Sequence, residues 1–193
     1  MAVHLRAWER LIANPDWPTL VFASTGTKLM HDLIVQEAAK ELDYMPGVHK
    51  IAHDKSVRYL IEDRVLFRFK KGNRAGLGSN IDTQANDDFI DAQVDLLGIP
   101  EAMKVELLWY PNRLRTKLDR VNVTARDGKK QAEGQITLTF SNSPMALIGW
   151  TVSDAQGQAT RIRLSGLQRA SGLAPTLFVL NDPRPKSVGR AKM

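Results

Sequence analysis

The chain has 193 residues, with 27 Lys and Arg against 21 Asp and Glu for a net charge of +6, 43% hydrophobic residues and no cysteine. A chain of that length buries a core without a covalent or metal staple. The missing thiols exclude disulfides, thiolate zinc sites, iron–sulfur clusters and a cysteine nucleophile. The first residues interrupt their apolar side chains with His4, Arg6, Glu9 and Arg10, so no signal peptide is expected, and no stretch has the length of a membrane span. Composition thus predicts a cytoplasmic protein with no membrane partner.

Taken in chain order, Leu5, Trp8, Leu11 and Ile12 recur at helical spacing and predict a helix from Val3 to Ala13, stopped by Asn14-Pro15-Asp16. Ser24, Thr25 and Thr27 are N-cap candidates for a second helix from about Lys28 to Asp43, whose stripe is Leu29, Met30, Leu33, Ile34, Ala38 and Leu42. The period then changes to alternation. Val57, Tyr59 and Ile61, then Val65, Phe67 and Phe69, predict a hairpin with one large apolar face and a second face that carries the arginines. A glycine-rich loop over residues 71–80 follows, and Asp82 or Thr83 can cap a short acidic helix to about Val94. Strands are expected at Val105 to Trp109, Asp119 to Ala125 and Gln135 to Phe140, with Asp127-Gly128 as a turn between the last two. Further strands are read at Ala146 to Val152, Thr160 to Leu164 and Thr176 to Leu180. Helices followed by hairpins define an α+β fold, N-terminal helices packed on a mostly antiparallel sheet, in a single domain over residues 1–180 with a basic tail over 181–193.

Charge is unevenly placed. Residues 1–98 hold 12 bases and 14 acids, and residues 99–193 hold 15 and 7, so the positive excess belongs to the second half. Arg68, Lys70, Lys71 and Arg74 come without an intervening acid and meet Gly78-Ser79-Asn80. A glycine-rich turn exposes backbone N–H groups beside those cations, which suits a phosphate, so Arg68, Lys70, Lys71, Arg74, Ser79 and Asn80 form the first candidate ligand set. No Gly-Lys-Ser/Thr of a Walker loop is present, and the same residues also suit a solvated hairpin edge. Arg113 and Arg115 at one turn, Arg126, Lys129 and Lys130 at another, and Arg161 and Arg163 on a strand form a second, nucleic-acid-contacting candidate set, with Trp109, Tyr110 and Trp150 available for stacking.

Asp82, Asp87, Asp88 and Asp91 offer an alternative in which carboxylates bind magnesium in a nuclease-like site. Acids at a helix start also simply complement its dipole. Neither His31-Asp32 nor His49-x-x-x-His53 has the partners of a metal site, so no metal or other cofactor is expected in the first reading.

The phrases His31-Asp32-Leu33-Ile34-Val35-Gln36-Glu37-Ala38, Arg64 to Lys71, Gly78 to Gln84 and Leu97-Gly98-Ile99-Pro100 resemble a family of uncharacterised bacterial proteins. Its members are encoded beside phage-repressor-type helix-turn-helix proteins and ImmA/IrrE-type zinc metallopeptidases. The resemblance covers roughly residues 28–140 and implies a stress, prophage or toxin–antitoxin-like module, with DNA, RNA, a repressor or a peptidase as partner. The resulting expectation is an accessory or regulatory protein that binds nucleic acid or a phosphate-bearing ligand through its basic hairpin and glycine-rich loop. A metal-dependent nuclease or nucleotide-acting toxin, and an interaction module for an acidic partner, are the alternatives.

Overall fold

The computed structural model describes residues 2–53, 56–73, 89, 102–126, 134–141 and 144–166. Helix α1 (Ala2–Ile12), a single 3-10 turn (Trp17–Thr19) and helix α2 (Ala23–Leu42) precede eight strands: β1 (Val48–His53), β2 (Ser56–Ile61), β3 (Val65–Lys71), β4 (Met103–Pro111), β5 (Leu118–Arg126), β6 (Gly134–Ser141), β7 (Leu147–Asp154) and β8 (Ala159–Arg163). Among the described residues the strands form one open sheet in chain order from β1 to β8, antiparallel throughout except where β3 runs parallel to β4. The fold is α+β, with both helices packed on the sheet.

Period-2 alternation fixes the two faces of the sheet. Tyr59, Phe67, Val105 and Ala125 are register partners across β2 to β5, as are Phe69, Leu107 and Val123 across β3 to β5. On this face lie Val3, Ala7, Trp8 and Leu11 of α1 and Met30, Leu33, Ile34 and Ala38 of α2. Tyr59 stacks on Phe67 at 5.3 Å between ring centroids, and Phe69 stands edge-on to both.

The helices are also tied to each other. Glu37 accepts from Arg6 Nε at 3.0 Å, Arg10 Nη1 at 2.7 Å and Lys40 Nζ at 2.6 Å, and Arg6 reaches on to Glu41. Lys40, with Arg6 and Arg10 behind it, holds the Glu37 carboxyl down to about 2. Its folded value lies below its unfolded value, so the contribution is complete above about pH 4.5 and is lost as pH falls toward 2. Glu37→Gln is expected to cost about 1 kcal/mol near neutrality, because its partners stay half-exposed, and to flatten the urea midpoint against pH in that acid window. An unchanged acid profile would remove Glu37 from the account.

Three local readings are corrected. Helix α2 starts five residues early, at Ala23, with Phe22 as an N-cap that offers no side-chain hydrogen bond, so Ser24, Thr25 and Thr27 lie inside the helix. Thr27 Oγ1 bonds back to the Ala23 carbonyl at 3.0 Å. A Cβ on Gly26 would stand 2.5 Å from the Trp17 ring, so the early turn brings glycine onto the indole. Strand β1 is an addition, paired through Ile51 to Arg58 and Lys50 to Tyr59. The parallel β3–β4 pair also departs from a pure hairpin order. The Asp127-Gly128 turn, the acidic helix from Asp82, the strand from Thr176 and the tail from Asn181 lie outside the described residues.

Candidate functional site

The helix layer covers β2 to β5 and stops there. Beyond it the same sheet face continues as an apolar strip: Val121 pairs with Phe140, Val123 with Leu138, and Ala125 with Ile136. Leu138 then pairs with Trp150 and Ile136 with Val152, and Trp150 pairs with Ile162. Ile136 and Val152 keep 39% and 43% of their surface exposed, while Leu138, Phe140, Trp150 and Ile162 are half-buried. None of these six belongs to the helix-covered core. An apolar face that no described helix covers is of the kind that marks a ligand or interaction surface in a folded protein.

A cleft of about 460 Å³ opens at one end of this layer, lined by Ile12, Trp17, Phe22 and Gly26 on the helix side and Leu114 and Thr116 on the turn between β4 and β5. Behind it Trp8 packs edge-on to Trp17 at 6.1 Å and against Trp109 at 6.4 Å. Trp109 pairs with Val121, and Val121 with Phe140, so apolar side chains run from the tryptophan cluster onto the open strip.

The opposite face carries a buried polar row beside a smaller apolar cluster of Leu60, Leu66, Phe89 and Ala102. Arg58, Arg68, Glu106, Thr124 and Thr137 stand in one row across β2 to β6, and all five are buried. Glu106 Oε1 accepts from Arg68 Nε at 3.0 Å and Nη2 at 2.6 Å, while the Arg68 guanidinium lies 3.9 Å from the Phe89 ring centroid. Thr124 and Thr137 share a 3.0 Å hydroxyl hydrogen bond. Burial lowers the Arg68 pKa despite Glu106, and burial with the adjacent Arg68 brings Lys70 down to about 8.

The first candidate set is divided by this geometry. Arg68 and Lys70 share the polar face. Lys71 turns to the helix side, 3.4 Å from Thr27 Oγ1 and 5.8 Å from the Trp109 ring centroid. Arg74, Ser79, Asn80 and the carboxylates Asp82, Asp87, Asp88 and Asp91 lie outside the described residues, as do Lys129 and Lys130. Arg113 and Arg115 occupy the β4–β5 turn, Arg126 donates to Gln135 at 2.9 Å, and Arg161 and Arg163 share the polar side of β8. Of the aromatics, Trp109 is core, Tyr110 lies under Arg120 on the polar face at 4.5 Å, and Trp150 is on the open strip. Among the described residues there is no cluster of three or more potential metal-binding side chains and no helix long and apolar enough to cross a membrane.

Among the described residues, fold and site together define an α+β protein whose helix layer leaves part of one apolar sheet face open. The family model for the outer membrane lipoprotein carrier protein LolA matches residues 108–181, which takes in the end of β4 and all of β5 to β8. No curated protein and no solved structure matches the chain. The match covers the strands that carry the open strip, and in that segment the chain is similar to the carrier family. It overturns the resemblance to neighbours of phage-repressor-type and ImmA/IrrE-type proteins.

Five expectations fall with that resemblance. A nucleic-acid-binding or phosphate-binding regulatory role, its nuclease, toxin and interaction-module alternatives, and DNA, RNA, repressor or peptidase partners are replaced by similarity to a lipoprotein carrier. The cytoplasmic location and the exclusion of a membrane partner are corrected too, because the matching family is that of an outer membrane lipoprotein carrier. The physical reason is common to all five. A basic balance is compatible with many partners, whereas an open apolar strip asks for an apolar one. The strip was present in the sequence as Ile136, Leu138, Phe140, Trp150, Val152 and Ile162 at alternating positions, but alternation alone does not say which face a helix will cover.

Proposed function

We propose that the protein is a carrier for an apolar chain, holding the acyl part of a lipid or lipoprotein against the strip formed by β6 to β8 and acting in the periplasm. The observation that carries this reading is the open apolar face itself, continuous with the core yet outside the helix layer. An acyl chain removes the exposed surface of Ile136 and Val152 from water, a gain that scales with the apolar area covered. Similarity of the same strands to the lipoprotein carrier family supports it independently.

Trp150 is the natural reporter, since Trp8 packs against both Trp17 and Trp109 at the helix layer, away from the strip. Titration with a long-chain fatty acid is expected to shift Trp150 emission to the blue, and Trp150→Phe should remove that response. Ile136→Asp with Val152→Asp places charge on the strip and is expected to weaken binding by about tenfold or more per site, at an unchanged far-ultraviolet circular dichroism spectrum. Equal affinity in a folded double variant would reject the strip as the binding face.

A further inference from the structure

The end of the molecule around the β4–β5 turn combines apolar exposure with exposed positive charge. Val21 and Phe22, just before α2, are 85% and 68% exposed, and Leu114 at the turn apex is 78% exposed. Phe22 and Leu114 both line the 460 Å³ cleft. Met145, in the β6–β7 connection at the same end of the sheet, is also exposed. A flexible loop would let such side chains fold back, and this turn is held out. The Asn112 side chain accepts from the Thr116 and Lys117 N–H groups at 2.8 and 3.2 Å and donates to Thr116 Oγ1 at 2.9 Å. Asn112 and Lys117 close the turn through their backbones, and Arg115 sits in the left-handed region at φ 56°.

Leu114 is flanked by Arg113, Arg115 and Lys117, all exposed, and among the described residues none of the three makes an ion pair. Asp119, next along the chain, stands 3.7 Å from Arg120. Apolar tips within a basic rim match the two layers of an anionic bilayer surface: Leu, Phe and Val enter the headgroup boundary while guanidinium and ammonium groups meet the phosphates.

We propose that this end of the molecule docks on an anionic lipid bilayer, with Leu114, Phe22 and Val21 inserted and Arg113, Arg115 and Lys117 against the headgroups, so that the cleft opens toward the membrane. The docking rests on the carrier reading for its purpose, the transfer of an acyl chain, and is measured separately from it.

The experiment is co-sedimentation of the full chain with vesicles of phosphatidylcholine alone and of phosphatidylcholine with phosphatidylglycerol. Sedimentation is expected with the anionic vesicles, weakening as salt is added. Arg113→Glu with Lys117→Glu should lower partitioning by roughly twenty-fold or more. Leu114→Asn with Phe22→Ser should lower it as well, although the charge is unchanged. Both pairs alter exposed side chains, and unchanged thermal melting checks that they fold. The charge pair is expected to leave fatty-acid binding at Trp150 intact, whereas Ile136→Asp with Val152→Asp should lose fatty-acid binding and keep vesicle binding, so the two proposals fail separately. Absence of sedimentation with anionic vesicles, or sedimentation of either variant pair equal to that of the wild type, would overturn the docking. A dimer in sedimentation velocity that Leu114→Asn dissociates would assign the rim to a second copy of the chain and overturn it too.

Discussion

Glu106→Gln is expected to cost about 3–5 kcal/mol of folding stability, the largest loss from a single polar substitution in the described fold. Glu106 and Arg68 are 6% and 8% exposed as side chains, and Glu106 stands between Arg68 and Thr124 in a buried row that begins at Arg58. Lys104, two residues back on the same strand face, is buried as well. Neutralising the carboxylate removes the anion that the buried Arg68 guanidinium pairs with, in a medium too poor in water to replace it, which is far costlier than losing an exposed pair. Urea unfolding measures the loss. The double variant Arg68→Met with Glu106→Met keeps the volume and removes both charges, so it is expected to recover most of the stability. A Glu106→Gln midpoint within about 1 kcal/mol of wild type would mean that water reaches the row.

The second large effect belongs to pH. His4 is 1% exposed, edge-on to Phe69 at 5.4 Å, and neither ring nitrogen has a hydrogen-bond partner among the described residues. Burial holds its pKa down to about 3, against 6.5 in the unfolded chain. The unfolded state therefore binds a proton that the folded state refuses, so stability is complete above about 6.5 and falls as pH drops toward 3. At about pH 5 the loss is about 2 kcal/mol, from about 1.4 kcal/mol per pH unit below the unfolded value. His31, whose burial also lowers its pKa, adds in the same direction. His4→Leu is expected to remove most of this slope and to raise stability near neutrality, since it also removes two unpartnered ring nitrogens from the core. A wild-type urea midpoint unchanged between about pH 7.5 and 5 would contradict the burial of a neutral imidazole.

Both effects arise at positions where local sequence gives the wrong expectation. Arg58 and Arg68 read as the outer face of a hairpin and are buried, because a row of cross-strand partners and the ring of Phe89 enclose them. His4 falls between Val3 and Leu5 on a helix whose core-facing stripe is wide enough to include it. The candidate site was legible in parts. The apolar residues of β6 to β8 are visible as alternating positions, and Leu114 is visible between two arginines, but their exposure is a property of what packs beside them.

By itself the sequence determined that helices precede an antiparallel sheet, where most strands lie, and that Tyr59, Phe67, Phe69 and Trp109 point one way while Arg58 and Arg68 point the other. Those features follow from chain-local sterics, since side chains repeat every two residues in a strand and every 3.6 in a helix. Tertiary structure alone decided that β3 pairs in parallel with β4, that α2 begins early so that Gly26 can meet Trp17, and that the helix layer ends before β6. It thereby decided which apolar residues became core and which remained an open face, because burial is settled by neighbours distant in the chain, and no local period encodes where a covering layer stops.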